Sequence, residues 1–552
     1  MSTLETAGAT ESEDVGAVPG VYDTVVVGAG FSGLYMLHRL RGLGLSAVAF
    51  ERAPDVGGTW YWNAYPGARC DAESLLYNYS FDPELRQEYQ SKWPERYSAQ
   101  PAIHEYIRHV ADRYDLRRDI RFNTQVTKAA WHEEDRRWLV ETSQGDHVRC
   151  RFLISAVGCL SESQVPDIPG LEGFLGEWYH TGRWPHRQVD FTGKRVVQIG
   201  TGSSGTQAAP VIAETAGHLT VLQRTPQYTI PAQNVELTPG FVGESMARYM
   251  KMAQTLSDPS VDRRRLWRML GTKNTFDDTP QEREAYFERL WQLGGPAFPF
   301  AYLDTMTDQA ANDEAARFVQ RKIRDIVKDP VTAQKLIPSY PIGAKRQVSD
   351  TGYYEMYNRP NVTLEDIRTD PIERITPEGV LLASGKLVEA DMIVFATGFD
   401  AMTGPLFGLN IEGAGGTRLR DAWEAGPQTY LGIASHGFPN FFFLTGPGSP
   451  SVLSNVINSA EQHVNWLTQL LSHLRAHGTE RIEADPDAQC RWGQHVTDMA
   501  SESLYPRADS WYLGANVPGK PRVFMPYIGG NAYYQTEIDE VAETGYVGFS
   551  LR

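Results

Sequence analysis

The order of apolar and polar residues divides the chain into blocks with two different periods. Asp23-Thr-Val-Val-Val27 is a β-branched run without polar alternation, which predicts a strand buried on both faces of a parallel sheet. Gly28-Ala-Gly-Phe-Ser-Gly33 follows, then Leu34 to Leu45 with apolar residues at helical spacing, then a second strand, Ser46 to Phe50. This is a βαβ unit. It recurs further on, where Lys194 to Ile199 leads into Gly200-Thr-Gly-Ser-Ser-Gly205, a helix, and a strand Leu219 to Gln223. The two glycine turns lie 172 positions apart, too far for a short tandem repeat. They predict two dinucleotide-type domains on one chain.

Between 232 and 339 the texture changes to Arg, Glu, Gln, Ala and Met at helical spacing, in Ser245–Gln254, Arg283–Gly294 and Glu314–Val327. We read 232–339 as a helical insertion. Within it, Asp262-Arg-Arg-Arg-Leu-Trp-Arg268 reads as a solvated helix face, with a phosphate site as the alternative. Later, Asp391–Asp400 predicts a buried strand entering a glycine turn, and Phe438–Ser451 a strand ending in a Gly/Pro loop. Glu461–Gly478 predicts an amphipathic helix, and Val517–Gly530 a strand with turns.

Composition adds limits. A chain of 552 residues holds about three to four domains' worth of sequence. Lys and Arg number 52 against 68 Asp and Glu, a net charge of −16 that argues against nucleic acid or an anionic membrane as partner. Cys70, Cys150, Cys159 and Cys490 form no CxxC pair, which points away from a disulfide framework or a metal site and towards a reducing compartment. Residues 1–19 are small, polar and acidic, as in a disordered arm, and lack a signal peptide's basic start and apolar core. No stretch approaches about 18 consecutive apolar residues, so no membrane helix is expected and a cytoplasmic location is the default.

The glycine turns carry the first chemistry. In Gly28-x-Gly30-x-x-Gly33 the first glycine permits a tight turn, the second lets backbone approach a pyrophosphate, and the third packs helix on strand. The helix N-terminus supplies free N–H groups for the phosphates. Glu51, 23 residues after Gly28, places a carboxylate where ribose hydroxyls are held. Gly200-Thr201-Gly202-Ser203-Ser204-Gly205 repeats the arrangement, but its second strand ends at Arg224, beside Thr225. A carboxylate there would repel a 2′-phosphate, whereas a guanidinium pairs with it, so the second site reads as one for NADPH rather than NADH. A flavin in the first site and a nicotinamide in the second make hydride transfer the minimal chemistry.

Two longer patterns are more specific. Phe174-Leu-Gly176-Glu-Trp-Tyr-His180-Thr-Gly-Arg-Trp184-Pro185 matches FxGxxxHxxxWP, and Gly57-Gly58-Thr-Trp60 through Tyr65-Pro66-Gly67 to Asp71 matches GGxWxxxxYPGxxxD. With Ala396-Thr397-Gly398, Gly343-Ala-Lys345-Arg346 and Ser510 to Pro526, the chain from about residue 20 onward resembles the class B flavoprotein Baeyer–Villiger monooxygenases, in particular the phenylacetone and steroid monooxygenase branch.

The resemblance implies two doubly wound, Rossmann-like α/β domains, one for FAD and one for NADP, with the helical insertion between their parts. The FAD domain would take 20–157 and 397–552, and the NADP domain 158–231 and 340–396. It implies an NADPH- and O2-dependent insertion of oxygen beside a ketone carbonyl through a C4a-peroxyflavin, giving an ester or lactone. Arg346 would be the catalytic cation, oriented by Asp71. Gly58, Trp60, Asp71 and Tyr77 would join Gly28, Gly30, Gly33 and Glu51 around FAD. Lys345, Arg346 and Trp511 would join Arg224 and Thr225 at NADP, which is expected to stay bound as NADP+ after hydride transfer. Phe174, Gly176, His180, Trp184 and Pro185 would form a hinge between the domains, with plain core packing the alternative for Trp184. Leu453, Val456 and Trp511 would wall an apolar pocket for bulky aryl, alicyclic or steroidal ketones, with sulfoxidation as a side activity. Cys159 is expected to pack in the interior near the flavin. The partners are then a small ketone and O2, and the protein a monomer or weak oligomer. The rival readings are a heteroatom-oxidising flavin monooxygenase, which does not need Arg346, and a non-enzymatic flavin-fold module. A disulfide reductase is excluded because no CxxC or CxxxxC follows the first glycine turn.

Overall fold

The computed structural model describes residues 20–257 and 272–552. The arm 1–19 and the arginine run 262–268 lie outside the described residues.

The first βαβ unit is β1 (Val21–Val27), helix α1 (Phe31–Gly42) and β2 (Ala47–Phe50). β1 has no polar alternation because both of its faces are covered. Val25 and Val27 pack into one cluster with Trp138, Phe441 and Phe443, while Val26 packs against Leu34, Leu37 and Leu40 of α1. Four more strands follow: β3 (Ile120–Arg121), β4 (Val126–His132), β5 (Arg137–Thr142) and β6 (His147–Ser155).

The chain then crosses to a second sheet. It is built from β7 (Glu177–His180), β8 (Arg195–Ile199), β9 (His218–Gln223), β10 (Val362–Asp366) and β11 (Met392–Phe395). Their order is β10-β9-β8-β11-β7, parallel throughout. Helix α2 (Ser203–Thr215) joins β8 to β9. In β8, Val196 faces α2 while Val197 and Ile199 face Val380 and Leu382 of a small antiparallel sheet on the other side.

The first sheet is completed by returning chain, β12 (Ile411–Glu412) and β13 (Phe441–Phe443). Its order is β12-β4-β5-β6-β1-β2-β3, and β13 also pairs with β6. β5 runs antiparallel to the first half of β6 (Trp138↔Cys150), and β13 lies parallel to its second half (Phe441↔Leu153). Both sheets match the doubly wound α/β expectation. Between β9 and β10, helices Pro239–Ser257, Pro280–Leu293 and Gln309–Ile326 carry the three segments with helical spacing.

One expected strand is absent. Residues 517–528 contain no β-strand. Pro518, Pro521 and Pro526 each remove a backbone donor, so the apolar stretch Val523–Met525 packs its side chains without joining a ladder.

The two crossings between the sheets lie side by side. Ser163 bridges Phe399, Gln164 N–H donates to the Gly398 carbonyl at 3.0 Å, and Asp400 N–H donates to the Glu162 carbonyl at 2.9 Å.

Candidate functional site

Both glycine turns have the same physical reason. Gly28 has φ +104°, and a Cβ there would sit 2.6 Å from the Ala156 carbonyl oxygen. Gly200 has φ +107° and would meet the Ala396 carbonyl oxygen at 2.4 Å. The third glycine of each motif, Gly33 or Gly205, is pressed against the carbonyl of the first. Gly30 and Gly202 are the N-caps of α1 and α2, and neither helix start has a side-chain cap or an acidic residue in its first turn. Free N–H groups and the positive end of the helix dipole therefore remain for a phosphate.

At the first turn, a cleft runs from Glu51 past Gly28 and Gly30 to Trp60, Tyr77 and Cys159, and Thr445 and Val456 also border it. Glu51 is 5% exposed at the end of β2. Burial raises its pKa, opposed by the Ala29 and Ala53 N–H groups, which donate to Oε2 at 2.7 Å and Oε1 at 2.9 Å. The carboxylate thus braces the glycine turn and still has lone pairs for ribose hydroxyls. Gly58, with φ +53°, approaches Gly30 backbone to backbone, and Trp60 Nε1 donates to the Tyr77 hydroxyl at 3.0 Å. An elongated cleft with a phosphate cradle at one end and aromatic walls at the other fits FAD.

At the second turn, Arg224 is exposed directly after β9. Lys345 lies over the Tyr340 ring at 4.8 Å. Its pKa is lowered to about 8, first by burial and then by the neighbouring Arg224 charge, with Asp509 opposing. Two cations that disfavour each other form a site that an incoming dianion relieves, which fits a 2′-phosphate. Two of the expected hydroxyls have protein partners: Thr201 donates to the Thr225 carbonyl at 2.8 Å, and Ser204 meets the Thr181 hydroxyl at 3.0 Å. Among the expected hydroxyls, Ser203 remains exposed at the start of α2.

Arg346 and Asp71, separated by 275 positions, come together. Nε donates to Oδ2 and Nη2 to Oδ1, both at 2.8 Å, a bidentate pair. Nη1 donates to the Val452 carbonyl, and Tyr512 lies beside the guanidinium. Burial works against the Arg346 charge, but Asp71 and Tyr512 more than offset it and hold its pKa above the ordinary arginine value. The backbone beneath is fixed by Gln227, whose Nε2 donates to the Arg346 carbonyl at 2.8 Å.

Beside this pair, Cys159, Met402, Val452, Tyr505, Tyr512 and Phe524 form one apolar cluster, with Leu453 and Trp511 packed against it. Cys159 is buried and reaches both the cleft and this cluster. Leu453 and Trp511 therefore share a wall, whereas Val456 belongs to the cleft. Sequence reasoning missed Tyr512, the Val452 carbonyl and Gln227. Tyr512 had a signal, its place beside Trp511; the other two had none.

His180 ends β7, 3% exposed. Its Nδ1 accepts from the Gly182 N–H at 2.9 Å, so Nε2 carries the proton and faces the Thr397 hydroxyl at 3.3 Å, which in turn donates to the Gln164 carbonyl at 2.6 Å. Burial lowers its pKa to about 4, so it is a neutral hydrogen-bonder on the paired crossings. Trp184 is buried against Tyr179 and Phe191, and its N–H donates to the Trp62 carbonyl at 3.2 Å. Phe174 and Gly176 lie on the approach to β7, where a Cβ on Gly176 would meet the Asp391 carbonyl at 2.3 Å.

The profile of the flavin-binding monooxygenase-like family matches residues 23–238. A Baeyer–Villiger monooxygenase of Pseudooceanicola batsensis is 41% identical over 544 residues, covering 97% of each chain. Among solved structures, an oxidised steroid monooxygenase bound to NADP superposes with a TM-score of 0.88 at 50% identity, over 96% of this chain and 99% of that one. The complex of OTEMO with FAD and NADP gives 0.88 at 38% identity, over 96% and 99%.

Proposed function

The chain belongs to the FAD- and NADP-dependent Baeyer–Villiger monooxygenases of the flavin-binding monooxygenase-like family, and on that footing we propose that it inserts one atom of O2 beside the carbonyl of a bulky, apolar aryl, alicyclic or steroidal ketone. We assign FAD to the cleft of the first glycine turn and NADPH to the second. Bound FAD, once reduced by NADPH, would supply the electrons that activate O2. Arg346 provides a cation that does not deprotonate at working pH, beside a cluster of apolar side chains. It stabilises negative charge as that charge moves onto the ketone oxygen. Asp71 fixes the guanidinium plane, so little reorganisation is left for the reaction. Arg224 and Lys345 take the 2′-phosphate. His180, neutral and hydrogen-bonded to the paired crossings, acts as a hinge contact rather than an acid or base. The apolar cluster of Cys159, Met402, Leu453, Tyr505, Phe524 and Trp511 beside Arg346 has little polar readout, which supports bulky hydrophobic ketones as substrates. Thioether sulfoxidation is the expected side activity.

The observation that carries this reading is the bidentate Asp71–Arg346 pair set against that apolar cluster. The test is aerobic turnover with NADPH and a panel of aryl, alicyclic and steroidal ketones, for wild type and Arg346→Ala, with ester, NADPH and hydrogen peroxide all measured. Ester from wild type alone, with Arg346→Ala still oxidising NADPH to peroxide, is the expected result. No ester from any ketone, with oxygenation of an amine or thioether instead, would move the chain to the heteroatom oxygenases.

A further inference from the structure

Helix α2 carries the second glycine turn at its N-terminus and reaches the other domain with the Gln207 side chain. Gln207 Oε1 accepts from the Tyr65 hydroxyl at 2.8 Å and from the Arg69 N–H at 3.3 Å, and its Nε2 donates to the Arg69 carbonyl at 3.0 Å. The Arg69 residue is thus gripped at both its donor and its acceptor, as a neighbouring strand would grip it. Gly67 in the same turn has φ +79°, and a Cβ there would lie 2.4 Å from the Gln207 carbonyl oxygen. The Tyr65-Pro66-Gly67 turn is therefore shaped to receive α2, and Tyr65 packs against the second domain's core. Little slack remains beyond Arg69. Its guanidinium donates to the Tyr97 carbonyl at 2.5 Å, and the Cys70 N–H donates to the Ser98 carbonyl at 3.1 Å. Asp71 comes next.

We infer that Gln207 is a positioning residue that couples nucleotide occupancy at the start of α2 to the aim of the Asp71–Arg346 pair. Two residue steps through Cys70, roughly 7 Å when extended, separate the gripped Arg69 from Asp71. A small displacement of α2 as nucleotide binds is therefore passed to Asp71 rather than absorbed. The inference rests on the Baeyer–Villiger reading above only for the role of Arg346.

The test is hydrogen exchange of the FAD-loaded enzyme with and without saturating NADP+, for wild type, Gln207→Leu and Gln207→Glu. In wild type, NADP+ should slow exchange both at 200–208 and at 65–71. In Gln207→Leu it should protect 200–208 alone. Gln207→Glu keeps both acceptor bonds but sets a carboxylate against the Arg69 carbonyl, and should show partial protection at 65–71. In turnover, Gln207→Leu should lower ester formed per NADPH by about tenfold or more, the scale of an ångström-sized misplacement. NADP+ affinity should stay within about threefold, since no bond to the nucleotide is lost. Protection of 65–71 that is absent in wild type, or equal in wild type and Gln207→Leu, would overturn the coupling. Should Gln207→Leu fail to hold FAD, Tyr65→Phe, which deletes one of the three bonds, must weaken protection at 65–71 in the same direction, and unchanged protection there overturns the proposal. Wild-type ester formation in the same samples tests the Baeyer–Villiger reading separately, because the exchange result does not depend on it.

Discussion

Lys345 gives the sharpest quantitative test of the nucleotide assignment. Its ammonium is held at a pKa of about 8 by burial and by Arg224, so close to the assay range that pH alone perturbs it. A 2′-phosphate is dianionic above about pH 7 and pairs with the charged amine. Binding therefore raises the lysine pKa, and the complex takes up protons near pH 8. The sign follows: affinity is greatest below the free-enzyme pKa and falls as pH rises through it. With a pKa of about 8, the charged fraction goes from about nine-tenths at pH 7 to about one-tenth at pH 9, so Kd for NADP+ should rise up to about tenfold over that interval. The assay is a titration of the oxidised enzyme with NADP+ from pH 7 to pH 9, read by the change in flavin absorbance. NAD+, which lacks the phosphate, should bind weakly with no such slope. Lys345→Arg stays charged throughout and should flatten the NADP+ curve. A flat wild-type curve, or a Lys345→Arg curve as steep as wild type, would refute the assignment of Lys345 to the phosphate.

Two further outcomes are expected. Asp71→Asn leaves one acceptor facing a guanidinium that used two, and loss of a charge-assisted hydrogen bond of about 1.5–3 kcal/mol should lower ester formed per NADPH by about 10–100-fold with FAD retained; a ratio within twofold of wild type would remove Asp71 from the mechanism. His180 is neutral in the folded protein with a pKa of about 4, against about 6.5 unfolded, so the unfolded state binds its proton first. Its share of stability is unchanged above pH 7 and is lost as pH falls from about 6.5 to about 4, by on the order of 3 kcal/mol at most. His180→Gln should therefore show a shallower fall in melting temperature over that range, and parallel curves would place its pKa elsewhere.

The sequence by itself determined whatever depends on local backbone. Positive φ at Gly28 and Gly200, and a carbonyl pressed where a Cβ would sit at Gly33 and Gly205, admit only glycine, so these residues mark both candidate nucleotide sites without any alignment. The residue ending each second strand separates the sites further, Glu51 from Arg224. Long fingerprints supplied Asp71, His180 and Arg346 as candidates, but not who touches whom. The local reading failed where proline decides, since an apolar run such as Val523–Met525 looks the same whether or not its neighbours can enter a ladder. Only the tertiary structure joined Asp71 to Arg346, brought Cys159, Met402, Leu453 and Trp511 into one apolar cluster, and laid Gln207 against Arg69. Such pairs leave no periodic mark, because a side-chain contact across two sheets places no demand on the residues beside it in sequence. The same holds for the Val452 carbonyl and the Gln227 amide, whose part at Arg346 depends on where returning chain settles in three dimensions.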